Sequence, residues 1–551
     1  MGDPRALSVL GRNVSALGQV QPDTARAIMS TPPDPRIVPA STRDGTMGVA
    51  AQRRGAQQPV QLHSRYRPVA EADRAVTSIG SAATLVVFGA GGMFVPRRYL
   101  DRYRDASVIV AEPDRSTLRS VLEAIDLSAT IAGRRLRFAT TPEEIVTTIR
   151  SVHIPVVNDG IRTYELRPWT EWEPQRAAFL VMRHALTRGI HSIAEEHATM
   201  RRFGRPWLAH ALENSFSIPW ETVPTEITRL RERFAGRRVT VVAAGPSLDS
   251  IALSGDTPIV AVDTAFPALR RRGREPDVVV ALDAQGWSVL HMRRRHHDGP
   301  SRAFRLCADL SVSPALVRGA SAVVPMGSNH PLHRLMESEG FPLLSLPGTT
   351  IVTETALRLA RWSGAVDVTL AGADYGYPRG KSYARGTYHY DLADSRADRL
   401  YPAETFFADQ VYPVADPADP PSAGSRPFFV KPGMYDARHR AIEILTSPGV
   451  EGTVPAPPRG IDRGGVLRFW NTHLELLETI PEIVNDADLL STPELLERLG
   501  PHGRAHLPVL ADLDQGFSHL DNAIQTRSDR ISTIYAAVRG FIFSRLRRYS
   551  K

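Results

Sequence analysis

A short run, VTVVAAGPSLD at residues 239–249, joins an apolar strand to a glycine-proline turn. Gly245 permits a tight turn and a close approach of the backbone to a ligand, and Pro246 fixes the backbone angle that follows. Ser247 and Leu248 continue the turn, where a hydroxyl and backbone amides can hold a phosphate at the start of a helix. The alternative is an ordinary strand-to-helix turn. No Gly-Lys-Ser/Thr follows, so the run is not a Walker loop.

Three acidic residues end strands of the same predicted region. Asp263 and Asp283 end the runs PIVAVD and PDVVVALD, and Asp374 ends the later run DVTLAGAD. The carboxyl ends of parallel strands share one edge of a sheet, where ligands bind. A carboxylate there orients ribose hydroxyls, binds Mg²⁺ or caps a helix. One alone is typical of a cap, whereas three on neighbouring strand ends favour a nucleotide-binding edge.

A tyrosine-rich run, YGYPRGKSYARGTYHY, follows the last of these aspartates directly. Its Tyr375, Tyr383 and Lys381 carry hydroxyls and a cation that can stabilise a departing phosphate oxygen without a metal. His389 can act as a general base near neutral pH. The irregular composition continues to about Pro427, which predicts an active-site lid or a binding loop.

Two further features carry no predicted metal chemistry. The run HMRRRHHDG at residues 291–299 has no carboxylate partner at ligand spacing, and we interpret it as a solvated loop. The single cysteine, Cys307, lies in the apolar run AFRLCA and is expected to be buried. One cysteine excludes an internal disulfide framework and a cysteine-based zinc site. We therefore predict no metal ligands.

The composition is that of a globular chain, with 551 residues, 42% of them hydrophobic and 23% charged. The net charge of +8 and the pI near 9.7 suit an anionic ligand. The basic residues are scattered without interleaved aromatic residues, so we predict no nucleic-acid partner. Neither a secretory signal nor an apolar run of about 18 residues is found. These absences predict a cytoplasmic protein without a transmembrane segment.

Strands alternate with helices along most of the chain, which predicts an α/β fold with parallel sheets. The central strands are nearly continuous apolar runs, as in sheets that are covered on both faces. A smaller unit precedes them, in which TLVVFGAGG and SVIVAEPD imitate a dinucleotide fingerprint without its third glycine. Binding of a cofactor and a cofactor-free Rossmann-like unit both remain open here. The chain after about Val466 is mostly helical in pattern.

Several of these motifs resemble the motility accessory factor family, bacterial glycosyltransferases associated with flagellin glycosylation. The resemblance rests on GPSLD, on VDTAFPALRRRGREPDVVVALD and on TETALRLARWSGAVDVTLAGADYGYPRGKSYA. The segment LHSRYRPVAEAD resembles the family element HS-x-Y-x-P-x-x-EA, and FGAGG with VAEPD resembles its small N-terminal Rossmann-like domain. The resemblance covers roughly residues 60–460.

The central domain is also similar to archaeal 6-hydroxymethyl-7,8-dihydropterin pyrophosphokinase and to bacterial sialyltransferases. In the sialyltransferases two tyrosines after the late strand hold the phosphate of a CMP-sugar, and Tyr375 and Tyr383 fall at those positions. The sialyltransferase loop Gly-x-Gly-Pro-Ser-Leu here has alanine in place of its first glycine. Their catalytic histidine precedes a helix that resembles MYDARHRAIEIL, where this chain has FVKPG with Lys431. We assign His389 as the base instead.

The resemblance implies an enzyme that moves a nonulosonic, sialic-like acid from a CMP-sugar donor to Ser/Thr hydroxyls of a protein such as flagellin. No cofactor beyond the donor substrate is implied. One alternative is an Mg-ATP-dependent 6-hydroxymethylpterin pyrophosphokinase. A second alternative is a non-catalytic flagellin-binding accessory protein.

The fold class that follows is α/β, with a central parallel Rossmann-like (sialyltransferase-like) domain, a smaller N-terminal Rossmann-like domain and a helical C-terminal region. The predicted parts are a disordered or loosely packed segment at 1–61, the small Rossmann-like domain at 62–150, a helical connector at 151–235, the central nucleotide-binding transferase domain at 236–465 and the helical region at 466–551.

Overall fold

The computed structural model describes residues 8–52, 58–155, 158, 160–292, 304–328, 330–346, 351–418, 428–447, 461–484, 492–517 and 527–549. The chain forms two compact units. The first consists of residues 1–204 and 476–540, and the second of residues 205–475 and 541–551. The four boundaries between the five predicted parts remain predictions.

The described residues of the first unit form seven strands. They are β1 (Ile37–Ser41), β2 (Met47–Ala51), β3 (Val60–Gln61), β4 (Thr84–Phe88), β5 (Ser107–Ala111), β6 (Leu136–Ala139) and β7 (Ile161–Glu165). Strands β1 to β3 form an antiparallel sheet, and the other four form a parallel sheet in the order β6-β5-β4-β7. Strand β7 corrects the prediction that the connector at 151–235 is helical. Its alternating, partly exposed sequence IRTYE lacks the apolar run by which the other parallel strands are recognised.

Among the described residues, nine helices begin before Arg205. They are α1 (Val9–Val20), α2 (Pro22–Ser30), α3 (Pro68–Ile79), α4 (Phe94–Arg102), α5 (Arg115–Ala124), α6 (Ser128–Ala132), α7 (Pro142–Val152), α8 (Arg167–Thr170) and the 45-residue α9 (Glu173–Ser217). The expectation of a disordered or loosely packed segment at 1–61 is wrong for residues 8–52. Leu17 of α1 and Ile28 of α2 are fully buried in the same core as β4 and β5. Their packing partners are distant in sequence, so the weak local periodicity concealed them.

The glycine turn after β4 is occupied by side chains of the protein. The Gly92 amide donates to Nε2 of His63 at 2.6 Å, and the Ala90 amide donates to Oε2 of Glu112 at 3.1 Å. The indole of Trp169 donates to the same carboxyl oxygen at 3.0 Å. A Cβ on Gly91 would lie 2.4 Å from the Leu166 side chain. Since His63 and Glu112 already bond amides of this turn, the geometry favours a Rossmann-like unit without a dinucleotide.

Burial of Glu112 makes the stability of the first unit depend on pH. Burial raises the pKa of this carboxyl from its ordinary 4.5 to about 8, although three N–H donors, from Ala90, Trp169 and Asp114, oppose the shift. A raised folded pKa contributes stability that is complete below pH 4.5 and is lost as the pH rises through about 8. We expect the melting temperature to fall over this range in the wild type and less in Glu112→Gln. Glu143→Gln, at an exposed position, should retain the wild-type slope. If the melting temperature fell equally steeply with pH in the wild type and in Glu112→Gln, the assignment of this pH dependence to Glu112 would be contradicted.

The second unit is built on a parallel sheet of seven strands. These are β8 (Arg238–Val242), β9 (Ile259–Val262), β10 (Val278–Ala281), β11 (Arg305–Asp309), β12 (Ala322–Gly327), β13 (Leu344–Ser345) and β14 (Asp367–Ala371). Their order is β13-β12-β11-β10-β9-β8-β14. A small antiparallel sheet follows, with β15 (Tyr377–Pro378), β16 (Asp416–Ala418) and β17 (Phe428–Val430). The buried central strands confirm the predicted parallel α/β fold.

In the part of the second unit that the structure describes, ten α-helices accompany these sheets. They are α10 (Val223–Phe234), α11 (Phe266–Arg271), α12 (Trp287–Met292), α13 (Pro314–Gly319), α14 (Pro331–Ser338), α15 (Val352–Trp362), α16 (Tyr388–Arg396), α17 (Ala403–Val411), α18 (Pro432–Thr446) and α19 (Arg463–Glu478). Helices α16 and α17 correct the prediction of a long irregular stretch between Asp374 and Pro427. Residues 419–427 of that stretch lie outside the described residues.

The predicted helical C-terminal region is confirmed. It continues with α20 (Ile480–Ile483), α21 (Thr492–Arg504), α22 (Leu507–Phe517) and α23 (Arg527–Leu546). Helix α21 changes direction at Gly500, where the backbone is left-handed at φ 60°. Among the described helices, none combines the length and the apolar character needed to cross a bilayer.

Candidate functional site

The order of the large sheet creates a switch point between β8 and β14. The chain moves outward from β8 through β9 to β13, then returns to add β14 on the other side of β8. Ligands of open α/β sheets bind outside the carboxyl ends of the strands at such a point. The GPSLD turn leaves β8 there and Asp374 follows β14, so the fold brings together two of the predicted site elements.

The turn after β8 differs from its predicted form. Residues Pro246–Asp249 make one 3₁₀ turn, and β9 follows without an intervening α-helix. The helix start predicted at this turn is therefore a single 3₁₀ turn. The Ser247 amide donates to Oδ2 of Asp374 at 3.1 Å, and the Gly245 amide donates to the Gly372 carbonyl at 2.7 Å. Two amides expected to face a phosphate are thus bonded to the neighbouring loop.

A glycine is needed at position 245 because neighbouring atoms leave no room for a Cβ. Its backbone angle does not require glycine, since its φ is −71°. A Cβ at this position would lie 2.1 Å from Oδ2 of Asp374 and 2.6 Å from the Gly372 carbonyl oxygen. Gly372 is equally restricted, because its φ is +68° and its Cβ would lie 2.2 Å from the Ala243 carbonyl oxygen. The close backbone approach predicted for Gly245 is therefore made to the loop after β14.

Asp374 is a half-buried carboxyl between the two loops. Burial raises its pKa, the Ser247 contacts oppose that shift, and the charge of Asp249 adds to it. The carboxyl therefore gains a proton more readily than an exposed aspartate. Its Oδ2 accepts a hydrogen bond from the Ser247 amide in the turn after β8. This predicted ligand residue therefore also has a structural contact.

The tyrosine-rich loop crosses the end of β8. The Ala384 amide donates to the Ala244 carbonyl at 2.9 Å, and the Arg385 amide donates to Oδ1 of Asp249 at 2.8 Å. Nζ of Lys381 lies 2.7 Å from Oδ2 of the same aspartate. The cation predicted to face a leaving phosphate is thus paired with a carboxylate of the GPSLD turn.

His389 and Tyr383 lie together on the β9 side of the turn. His389 is the second residue of α16, and its ring stacks on Tyr383 with centroids 4.5 Å apart and an interplanar angle of 21°. Burial, with a smaller contribution from His291, lowers the pKa of His389 to about 4. Burial also raises the pKa of Tyr383. At neutral pH the pair therefore consists of an uncharged imidazole and an uncharged phenol.

His291 and Trp287 also lie beside His389, and the sequence did not predict them as residues of this site. His291 is only 5% exposed, and its ring centroid lies 5.1 Å from that of His389. Burial lowers its pKa to about 4, and Nδ1 has no hydrogen-bond partner among the described residues. The interpretation as a solvated loop is wrong for His291, whereas residues 293–299 lie outside the described residues. The spacing of four between Trp287 and His291 is one helical turn, which is the signal that was available.

The two aspartates on neighbouring strand ends have different surroundings. Asp263 is buried, and its Oδ1 accepts from the Thr264 amide at 2.7 Å and the Thr264 hydroxyl at 3.1 Å. Burial raises the pKa of Asp263 to about 6, and the charge of Asp283 contributes. Asp283 is exposed and accepts from the Gln285 amide at 2.8 Å. In the described part of the chain no three His, Cys, Asp or Glu side chains group as a metal centre would require.

Tyr375 lies in different surroundings from Tyr383. Its backbone is left-handed at φ 47°, which is uncommon for a residue with a side chain. Within the described residues its hydroxyl has no hydrogen-bond partner, and burial raises its pKa to about 12. It lines a cavity of about 340 Å³ together with Ser247, Asp374 and Arg438. Leu248, the last predicted turn residue, is buried beneath this edge.

The position before α18 carries a lysine, as the sequence indicates. Lys431 is the N-cap residue of α18, and its Nζ lies 5.5 Å from the ring centroid of Tyr377. Strand β17 immediately before it pairs with β15, which places Phe429 opposite Tyr377. A cation thus stands at the place where the sialyltransferases have their histidine.

Comparison with known proteins identifies the middle of the chain. Residues 210–380 match the family model described as 6-hydroxymethylpterin diphosphokinase MptE-like. The central domain is thus similar to this family over these residues. The matched range contains the GPSLD turn, β8 to β14 and the start of the tyrosine-rich loop with Tyr375, whereas Lys381 and Tyr383 lie beyond its end. His389 lies beyond it.

The fold of the chain is that of a known glycosyltransferase structure. The MAf glycosyltransferase from Magnetospirillum magneticum AMB-1 aligns with a TM-score of 0.55 over 98% of this chain and 95% of its own, at 15% identity. Together with the MptE-like domain, this confirms the predicted family resemblance. Two uncharacterized proteins of Treponema pallidum (strain Nichols) are 26% and 28% identical over 218 and 165 residues. The matches cover 39% and 26% of this chain, and 47% and 41% of those proteins, so under half of their length.

Proposed function

We propose that the protein is a metal-independent glycosyltransferase that moves a nonulosonic acid from a CMP-sugar donor to serine or threonine hydroxyls of a protein such as flagellin. The observation that carries this proposal is the stack of Tyr383 on an uncharged His389 at the carboxyl edge of the large sheet. A neutral imidazole accepts the proton of an attacking hydroxyl, and a phenol donates to a departing phosphate oxygen.

The remaining predicted residues have roles in this proposal. The turn Gly245–Leu248 contacts the nucleotide phosphate through the Ser247 hydroxyl, while Asp263 and Asp283 orient the nucleotide. Tyr375 lines the cavity of about 340 Å³, and its unpartnered hydroxyl supports a polar ligand there. Arg438 on the cavity wall supplies positive charge for the donor phosphate.

The experiment is a transfer assay with CMP-linked nonulosonic acids and a flagellin acceptor, read by mass spectrometry of the acceptor. We expect Ser247→Ala and Tyr383→Phe each to lower turnover by about 10- to 100-fold, because each variant loses one side-chain hydroxyl that would hydrogen-bond to an anionic group of the donor. Ser250→Ala in the same turn and Tyr435→Phe on the exposed side of α18 serve as matched controls. Wild-type turnover in both test variants would contradict the site, and no transfer by the wild type from any CMP donor would contradict the function.

A second candidate is pyrophosphoryl transfer from ATP to a pterin. The description of the matched family and the electrostatic proximity of Asp263 and Asp283 favour it. This chemistry needs Mg²⁺ between phosphates and carboxylates. The two residues fit only in part, since Thr264 and Gln285 already occupy one oxygen of each. Activity that persists in EDTA excludes the kinase, and activity restored by Mg²⁺ with ATP and a hydroxymethylpterin excludes the glycosyltransferase.

A thermal-shift comparison of CMP, ATP, GTP and UDP separates the classes before any acceptor is known. Stabilisation by CMP supports the glycosyltransferase, and stabilisation by ATP supports the kinase. No response to any nucleotide supports a non-catalytic flagellin-binding role.

A further inference from the structure

Asp249 is the last residue of the GPSLD turn, and the function proposed above gives it no role. Both oxygens of its carboxylate contact the tyrosine-rich loop. Oδ2 lies 2.7 Å from Nζ of Lys381, and Oδ1 accepts from the Arg385 amide at 2.8 Å. The side chains of Asp249 and Lys381 are 30% and 25% exposed, so the pair is only partly screened by water.

The two contacts lie on either side of Tyr383, two residues before it and two residues after it. A third bond, from the Ala384 amide to the Ala244 carbonyl at 2.9 Å, ties the same segment to the end of β8. The Tyr383 ring then stacks on His389 at 4.5 Å. One carboxylate of the turn therefore holds the backbone on which the stacked phenol is carried.

We propose that Asp249 is a positioning residue that fixes Tyr383 against His389 by holding Lys381 and the Arg385 amide. In this arrangement the charge of Lys381 serves the loop and not the donor phosphate. Nζ of Lys381 also lies 4.7 Å from the ring centroid of Tyr390, which limits its freedom further. The proposal rests on the proposed function only for its effect on turnover, because the contact itself can be measured without any substrate.

The composition offers a direct probe. The whole chain has three lysines, Lys381, Lys431 and Lys551. An amine-reactive acetylating reagent, quantified by mass spectrometry, therefore reports on Lys381 with Lys431 as an internal control. We expect Asp249→Ala and Asp249→Asn to raise the labelling rate of Lys381 by about two- to fivefold, the range for a partly exposed ion pair. The rate at Lys431 should stay unchanged, and Asp256→Asn, on the exposed loop that follows, should alter neither rate.

A second measurement reports on the stack. The ring resonance of His389, assigned by its loss in His389→Asn, gives the pKa of this imidazole directly. In Asp249→Ala the loop is released, so His389 becomes better hydrated and its pKa should rise towards the ordinary 6.5. Asp249→Asn keeps an oxygen for the Arg385 amide and should shift this pKa less. The same order should appear in turnover, with a loss of about 10- to 100-fold in Asp249→Ala and partial rescue in Asp249→Asn.

Unchanged labelling of Lys381 in Asp249→Asn, or an unchanged His389 pKa in Asp249→Ala, would overturn the proposal. If the wild type transfers no sugar, the proposed function fails, whereas the labelling and the titration still decide the role of Asp249.

Discussion

Gly245→Ala is expected to abolish turnover and to destabilise the second unit by about 2–3 kcal/mol, the upper range for overpacking a filled site. The added Cβ would lie 2.1 Å from the Asp374 carboxyl and 2.6 Å from the Gly372 carbonyl. Neither neighbour can withdraw freely, because Asp374 accepts from Ser247 and Gly372 accepts from the Gly245 amide. The two loops must separate, which removes the Ser247 hydroxyl from its position. Urea unfolding and the transfer assay measure the two effects.

Gly255→Ala is the matched control for this prediction. It lies in the loop that follows the turn, and the nearest heavy atom to its added Cβ is 3.9 Å away, at the flexible end of Arg274. This variant should keep wild-type stability and turnover. A Gly245→Ala protein with the unfolding midpoint and activity of Gly255→Ala would show that the tight contact between the loops is unimportant.

His389→Asn is expected to lower turnover by about 10²- to 10⁴-fold, the usual contribution of a general base. The substitution keeps a polar group but removes the nitrogen that accepts a proton. In the wild type burial lowers the pKa of His389 to about 4, so the imidazole is neutral at pH 7 and becomes protonated only as the pH falls towards that value. We therefore expect kcat/KM to decline on the acid side near this pH.

The pH profile of His389→Asn tests the assignment of His389 as the general base independently of the size of the loss in turnover. The acid limb should disappear from the residual activity, because the titrating group has been removed. His439→Asn, at an exposed position on α18, should retain both the rate and the limb. Wild-type turnover in His389→Asn would show that His389 is not the general base and would leave His291 as the alternative.

Apart from β7, local patterns predicted the main strands of both parallel sheets, because buried parallel strands are continuous apolar runs. They also placed the GPSLD turn and Asp374 at one edge, since strand ends of a parallel sheet coincide there. The pairing of Lys381 with Asp249 joins residues 132 positions apart and leaves no local signal. The burial of His291 depends likewise on the loop that follows β14. A sequence pattern within ten residues cannot predict contacts between residues that lie so far apart along the chain.

Errors in the sequence-based fold have the same origin. The apolar residues of 8–52 show only weak periodicity, yet Leu17 and Ile28 find partners in the core of the first unit. Strand β7 has a partly exposed sequence without an apolar run and is defined by its pairing with β4. Tyr375 and Tyr383 are close in sequence, but the left-handed backbone at Tyr375 helps to place their side chains in different surroundings.

The sheet order of the second unit also has a consequence for its synthesis. The Ser247 amide and the Asp374 carboxyl that accepts its hydrogen bond are 127 residues apart. At the usual rate of translation, Asp374 is added roughly 6–25 s after Ser247. Until then β8 is an edge strand, exposed to wrong partners along the side that β14 will cover. The edge on which the nucleotide is proposed to bind is thus completed only when the last parallel strand is inserted, so binding competence depends on the latest step in assembling the sheet.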